Sequence, residues 1–269
     1  MDDFVSPTSI EDEDSGDVVS GPDVLAEVKL PSTIREYLFR LVPISHNFFL
    51  ERRWTLDKAA ELLQQPSFPR LLRKFLYKQL QVHGDTASES LLERAHPRIN
   101  GKIHVFNSAI ATFYAPSDIS GITSMRREHI RATPSWRKGQ ARYDTVLVNS
   151  DPEVEGVRGF EVARVFLFFS FRHDDKEYPC ALIQWYLHVG SEPDDDSGFW
   201  MVKPETDDTG DPHLSIIHLD SIYRAVHLLP AHQNGTFIDR TITMHSSLDT
   251  FQLFYINRFA DHQSFEVLS

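Results

Sequence analysis

Arg126, Arg127, Arg131, Arg137 and Lys138 fall close together in the chain, with Trp136 among them. Guanidinium and ammonium groups hold phosphate oxygens, and an indole face stacks a nucleobase. Together these are the means by which proteins bind a single strand or a nucleic-acid backbone. The stretch that carries them, residues 115–140, is punctuated by Pro, Ser and Gly and reads as a loop. The competing reading of the same residues is an exposed connection anchored by one tryptophan.

Other groups able to do chemistry are less well arranged. His213, His218, His227, His232 and His245 crowd the last third of the chain near Asp220 and Asp239, but their spacing fits no helix face and no metal knuckle. The acidic runs Asp194, Asp195, Asp196 and Asp207, Asp208, Asp211 invite a calcium reading. They lack the central glycine and terminal glutamate of a calcium loop, so they read as solvated turns. Cys180 is the only cysteine; it lies inside an apolar run with no histidine in register to activate it, and reads as a small buried hydrophobe. No dinucleotide, phosphate-loop, nucleophile-elbow or zinc-protease motif occurs. The expectation is a protein that is not an enzyme and holds no cofactor and no metal; a metal- or histidine-dependent enzyme built on the C-terminal histidines is the alternative.

The net charge of -12 is unevenly spread. Residues 1–23 hold eight carboxylates and no Lys or Arg, residues 51–142 carry sixteen basic against eight acidic groups, and residues 143–269 eight against twenty-one. A cationic middle between two anionic ends suits a surface that meets phosphate, or one neutralised in cis by the rest of the chain; ordinary surface charge that interleaves on folding gives the same count. The first residues offer no basic-then-apolar leader, and the longest apolar run, residues 165–169, is far short of the ~20 needed to span a bilayer. With one cysteine and no disulfide framework, the chain reads as intracellular with no membrane partner, and a nucleic-acid role makes the nucleus a more natural place for it than the cytoplasm.

The strongest structural signal is 159–189, two apolar runs flanking a polar stretch of about five residues at 173–177, which reads as a β-hairpin. Strict alternation places Val165, Leu167, Phe169 and Phe171 on one face and Phe166 and Phe168 on the other, so this strand is covered on both sides. Residues 1–31 are rich in Asp, Glu, Ser, Gly and Pro and are expected to be a disordered acidic tail. Residues 32–98 read as helical: Thr55 caps a helix running to about Gln65, and a second runs from Pro69 to Val82 with Arg70, Arg73, Lys74 and Lys78 mostly opposite its apolar face. Residues 99–269 read as β-rich, with short strands at 102–106 and 109–114 joined at 107–108. A final helix of three to four turns is expected from Ser247, on the spacing of Leu248, Phe251, Phe254, Tyr255 and Phe259. The expected fold is therefore α+β: N-terminal helices, a mainly antiparallel sheet or partly open β-barrel, and a C-terminal helix packed on it.

From Phe75 onward the chain resembles a recurrent domain of proteins encoded in or beside fungal DNA transposons, the Plavaka and Kyakuja/Dileera/Zisupton group of mushroom-forming fungi. The segments FLYKQL, PRINGKIHVFNSAIATFYAPSDISG, MRREHIRATPSW, EYPCALIQWYLHVG and IIHLDSIYRAVHLLPAH carry that likeness. It implies a transposon-derived module associated with DNA or chromatin, without the catalytic part of the larger members. The strand order from YDTVLVNS through the hairpin to FWMVKPE is also similar to a bromo-adjacent homology domain, which would make Tyr143, Trp185 and Tyr186 an aromatic cage for a methylated lysine in a basic peptide. Against that reading, Trp185 alternates with Ile183 and Leu187 as a core residue does.

Overall fold

The structure, a computed structural model, describes residues 53–80, 99, 101–115, 125–151, 153–154, 156–231 and 241–269, together with the backbone of 39–44. The acidic segment 1–31 and His232 lie outside the described residues. The elements in order are β1 (Phe39–Ile44), β2 (Arg53–Trp54), α1 (Leu56–Leu62), α2 (Phe68–Leu80), β3 (Ile103–Phe106), β4 (Ser108–Tyr114), β5 (Met125–Thr133), β6 (Arg142–Tyr143) and β7 (Thr145–Asn149). They continue with β8 (Phe160–His173), β9 (Lys176–Val189), β10 (Met201–Pro204), β11 (Leu214–His218), β12 (Ile222–Ala225), β13 (Leu228–Pro230), α3 (Ser247–Thr250), β14 (Phe254–Ile256) and α4 (His262–Leu268). The fold is α+β and its sheets are open.

Strands β8 and β9 are the axis. Each has fourteen residues, so each runs for ~45 Å at ~3.3 Å per residue, long enough to serve three clusters of buried side chains. The larger antiparallel sheet runs β12-β7-β8-β9-β10-β14-β13, with β3 and then β2 added beyond β8, and β11 sharing the edge of β9 with β10. A second antiparallel sheet runs β1-β4-β5-β6. Between the two sheets lies a core that includes Phe113 and Ile130 from the small sheet and Val165, Phe168 and Ile183 from the large one. On the other face of the large sheet, α1 and α2 cover one end through Phe68, Leu72 and Phe75 against Phe169, Phe171 and Leu182. At the other end of that face, Val162, Tyr186, Phe254 and Ile256 pack with Leu268 of α4. Between those two clusters sits a polar waist of Thr145, Arg164 and Gln184, all buried.

The alternation in β8 is broken once. Val165 pairs with Ile183 and Leu167 with Leu182, so Phe166 is an extra residue, a β-bulge. The bulge moves Val165 away from Leu167, Phe169 and Phe171 and puts it with Phe168 in the core between the sheets; unbroken alternation from Val165 to Phe171 is thus corrected. The expected five-residue loop is a two-residue turn, because His173 pairs with Lys176 and Arg172 with Glu177. Asp174 and Asp175 take φ of 48° and 59°, the left-handed pair that a type I′ hairpin turn requires. Aspartate tolerates that region better than most residues, which lets the strands zip to the end.

Four other expectations change. Thr55 does cap α1, its hydroxyl accepting from the Lys58 N–H at 3.3 Å, but the helix ends at Leu62 because Gln64 turns left-handed at φ 53°. The span 32–98 supplies β1 and β2 as well as α1 and α2. β3 and β4 do not pair with each other: the chain crosses at Asn107 from the large sheet to the small one, and the Asn107 carbonyl accepts from Ala132 N–H at 2.8 Å. From Ser247 only one helical turn forms. Phe254 and Ile256 are buried on alternate positions of a strand, and Phe259 is exposed, so the apolar residues follow a period of two where the spacing also fits a helix. The C-terminal helix is α4 instead, begun by Asp261, whose side chain accepts from Ser264 N–H at 2.7 Å.

One glycine is fixed by contact. A Cβ on Gly159 would stand 2.3 Å from the carbonyl oxygen of Val154, and its own carbonyl accepts from the N–H groups of Ser150 and Asp151. That tight crossing closes the turn from β7 into β8.

Candidate nucleic-acid interface

The stretch that reads as a loop from composition is mostly strand. Residues 125–133 form β5, because Glu128, Ile130 and Ala132 alternate inward while β4 supplies a full register of partners from Ser108 to Tyr114. Four charged side chains, Arg126, Arg127, Glu128 and Arg131, mask that alternation in the sequence. β5 then turns through a tight loop at 135–140, in which Trp136 N–H donates to the Gln140 carbonyl at 2.9 Å and Gly139 N–H to the Trp136 carbonyl at 2.7 Å. The chain returns as β6, with Thr133 opposite Arg142 and Ala132 opposite Tyr143.

This hairpin decides which of the basic residues meet. The guanidinium of Arg131 lies 4.4 Å from the Trp136 ring centroid, that of Arg137 5.6 Å and that of Arg142 5.5 Å. Arg137 and Lys138 are exposed on the loop, both at positive φ, 49° and 63°. Arg127 is exposed on the same face of β5 as Arg131, four residues or ~13 Å along the strand. Arg126 is not part of the group: it lies opposite Phe113 on the core-facing side and acts electrostatically on Glu128. Arg142 belongs to the site and is hidden in sequence reasoning by its distance past the loop. Only the pairing of β5 with β6 brings it in.

Asp144 organises the cluster from beneath. Its carboxylate accepts from Arg142 Nε at 2.8 Å, from Arg142 Nη2 at 3.3 Å and from the backbone N–H of Arg131 at 2.8 Å. Three guanidinium groups around one indole repel one another, and the ring faces and the Asp144 carboxylate offset part of that. An arrangement of this kind stabilises an added anion, and exposed guanidinium forks suit phosphate.

Beside the cluster, a cleft of about 420 Å³ runs between β5 and the C-terminal segment and contains a buried ionic group. Arg224, only 3 % exposed, donates to Asp261 at 2.6 Å and to Glu128 at 3.2 Å. Burial pushes the Glu128 carboxyl up, against the pull of Arg224. Burial acts the same way on Asp261, but hydrogen bonds from Arg224 and the Ser264 N–H win and bring it down to about 2. Glu128 also accepts from Ala225 N–H, so both carboxylates are committed to holding β5, β12 and α4 together.

Tyr143, Trp185 and Tyr186 do not form a cage. Trp185 packs toward the core between the sheets, while Tyr186 points to the opposite face of β9, buried against Phe254 with its hydroxyl pushed up to about 12 by burial. Tyr143 lies against Phe166, with the Arg164 guanidinium 5.8 Å from its ring.

The histidines take separate partners: His213 with Glu205 at 3.0 Å, His218 with Gln79 at 3.0 Å and His227 with Asn257 at 3.0 Å. Among the described residues no three His, Cys, Asp or Glu side chains gather as a metal site. The acidic loops close on themselves, Asp194 accepting from Ser197 N–H and Asp207 from the N–H groups of Thr209 and Asp211. Burial holds the Cys180 thiol well above its ordinary range. Among the described residues no helix is long and apolar enough to cross a membrane. No protein-family model, curated protein or solved structure matches the chain.

Proposed function

We propose that this protein is a non-catalytic, transposon-derived module that associates with DNA or chromatin in the nucleus through the β5–β6 hairpin. The observation that carries the reading is the convergence of Arg131, Arg137 and Arg142 on Trp136, with Arg127 and Lys138 exposed nearby. Guanidinium groups hold backbone phosphates, and the half-buried indole supplies an apolar ring edge at which a base can rest, so contact is to the backbone with little sequence preference. The +8 charge of residues 51–142 supplies the long-range attraction in a chain that is otherwise acidic.

Fluorescence anisotropy with labelled single- and double-stranded oligonucleotides, titrated between about 50 and about 200 mM salt, tests this. Binding at the low end that weakens steeply with salt is the expected result. Absence of binding at the lowest salt, where counterion release favours association most, overturns the proposal.

A further inference from the structure

β11 is an edge strand, and it lies beside the basic helix α2. β9 uses one edge for β8 and divides the other between β10 and β11, which leaves the far side of β11 without a strand partner among the described residues. The direction of its backbone groups follows from one bond: Trp185 N–H donates to the His213 carbonyl at 3.1 Å, so His213, Ser215 and Ile217 face β9. Leu214, Ile216 and His218 therefore turn their N–H and C=O groups outward. Among the described residues no backbone hydrogen bond meets those of Leu214 and Ile216.

Above this edge is a groove of about 630 Å³ whose other wall is α2. Arg70, Lys74 and Lys78, spaced i, i+4, i+8, form an exposed stripe along that wall, while Phe75 packs edge-on to His218 with ring centroids 5.0 Å apart. The two walls match in length: residues 67–79 of the helical side span ~18 Å and residues 212–218 of the strand side ~20 Å. Leu214 and Ile216 belong to the cluster that α2 covers, so the face of the sheet that continues outward from them looks toward the basic stripe.

We infer that this groove binds an extended acidic peptide of a partner protein, which adds as an antiparallel or parallel strand to the open edge of β11 and directs alternate carboxylates at Arg70, Lys74 and Lys78. An open edge offers alternating N–H and C=O groups, which a peptide backbone satisfies and a row of phosphates does not. Side chains on one face of an extended strand recur every ~6.6 Å, close to the ~6 Å rise of four helical residues, so alternate acidic positions keep step with the stripe. Asp207 at the 212–213 end of the groove repels a carboxylate there and confines the acidic positions to the stretch facing α2. The groove shares no residue with the Trp136 cluster, so this inference does not depend on nucleic-acid binding.

The test uses the full chain and a fluorescein-labelled peptide alternating Glu with Val, followed by anisotropy. Two controls accompany it: the same peptide N-methylated at alternate residues on its pairing edge, and one with Lys for Glu. Specific binding of the Glu peptide is expected, weakened at least about tenfold by N-methylation, by the Lys exchange and by the charge-reversed variant Arg70→Glu/Lys74→Glu/Lys78→Glu. The variant changes exposed residues only, and its circular dichroism should match the parent. No binding, equal binding of the N-methylated peptide, or displacement of the Glu peptide by a short oligonucleotide overturns the inference. A Trp136→Ala chain that loses oligonucleotide binding and keeps the peptide separates this site from the hairpin.

Discussion

The guanidinium of Arg224 sits 2.6 Å from the Asp261 carboxylate, in a position where Asp261 also starts α4 and Glu128 of β5 holds the guanidinium from the other side. One side chain thus ties the small sheet, the large sheet and the C-terminal helix. Asp261→Asn leaves Arg224 paired with Glu128 but weakens its shorter charge-assisted bond, so it should lose about 1.5–3 kcal/mol at neutral pH by urea unfolding.

The pH dependence has a definite sign. Asp261 titrates lower when folded than when unfolded, so its contribution is complete above the ordinary carboxylate value of 3.8 and is lost as pH falls toward about 2. Glu128 titrates higher when folded, so its ionisation lowers stability as pH rises past 4.5. Unfolding free energies measured across pH 2 to 4 should therefore fall less steeply in Asp261→Asn than in the parent; parallel slopes would assign the acid sensitivity to other carboxylates.

Trp136→Ala should weaken oligonucleotide binding by about 1–3 kcal/mol while leaving the melting temperature nearly unchanged, since the ring is only half-buried and lies outside the three apolar clusters. Replacing Arg127, Arg137 and Lys138 together by Ser should flatten the slope of log K against log salt by about 2 for single strands, if each neutralises one phosphate. Arg126→Ser should leave the slope as it is, because that side chain lies on the other face of β5.

The turn between β8 and β9 holds two non-glycine residues at positive φ, and both are aspartates. Asp174→Asn with Asp175→Gly gives the pair that this turn geometry favours most and removes adjacent like charges. Differential scanning calorimetry should show a gain of about 1 kcal/mol, or roughly 2–4 °C in a chain of this size.

Phe254 and Phe259 distinguish the strand from a helix that would carry both inward. Phe254 is fully buried and Phe259 is 60 % exposed. Phe254→Ala should cost about 3–5 kcal/mol and Phe259→Ala less than about 1 kcal/mol. Similar costs for both would contradict β14.

How much of this is legible without coordinates depends on how local the deciding interactions are. The central hairpin, the capping by Thr55 and the amphipathic α2 follow from composition and period, because each is determined by residues near it in sequence. β5 is not legible, since MRREHIRAT carries charge on both faces and its inward alternation matters only once β4 and Arg224 are in place. The C-terminal segment fails for another reason: Phe251, Phe254, Tyr255 and Phe259 fit the 3.6 period of a helix, and it is pairing with β10 and β13 that imposes a period of two on Phe254 and Ile256. In the candidate interface, Arg131, Trp136 and Arg137 are visible as neighbours in the chain, whereas Arg142 enters through a strand pairing and Arg126 leaves through strand parity.

Phe166 gives the long hairpin a property resembling a reading frame. Residues before it and after it are each in phase with their own core because the pairing skips this one surplus residue. Its identity matters less than its exclusion from the ladder: many side chains can occupy the position, but a strand that paired it regularly would send Leu167, Phe169 and Phe171 to the core between the sheets and strip the helices of their floor. Deleting Phe166 removes the bulge and leaves both halves in phase, whereas an insertion or deletion elsewhere in β8 puts one half out of phase. Outside position 166 this strand therefore tolerates substitution far more readily than a change in its count of residues.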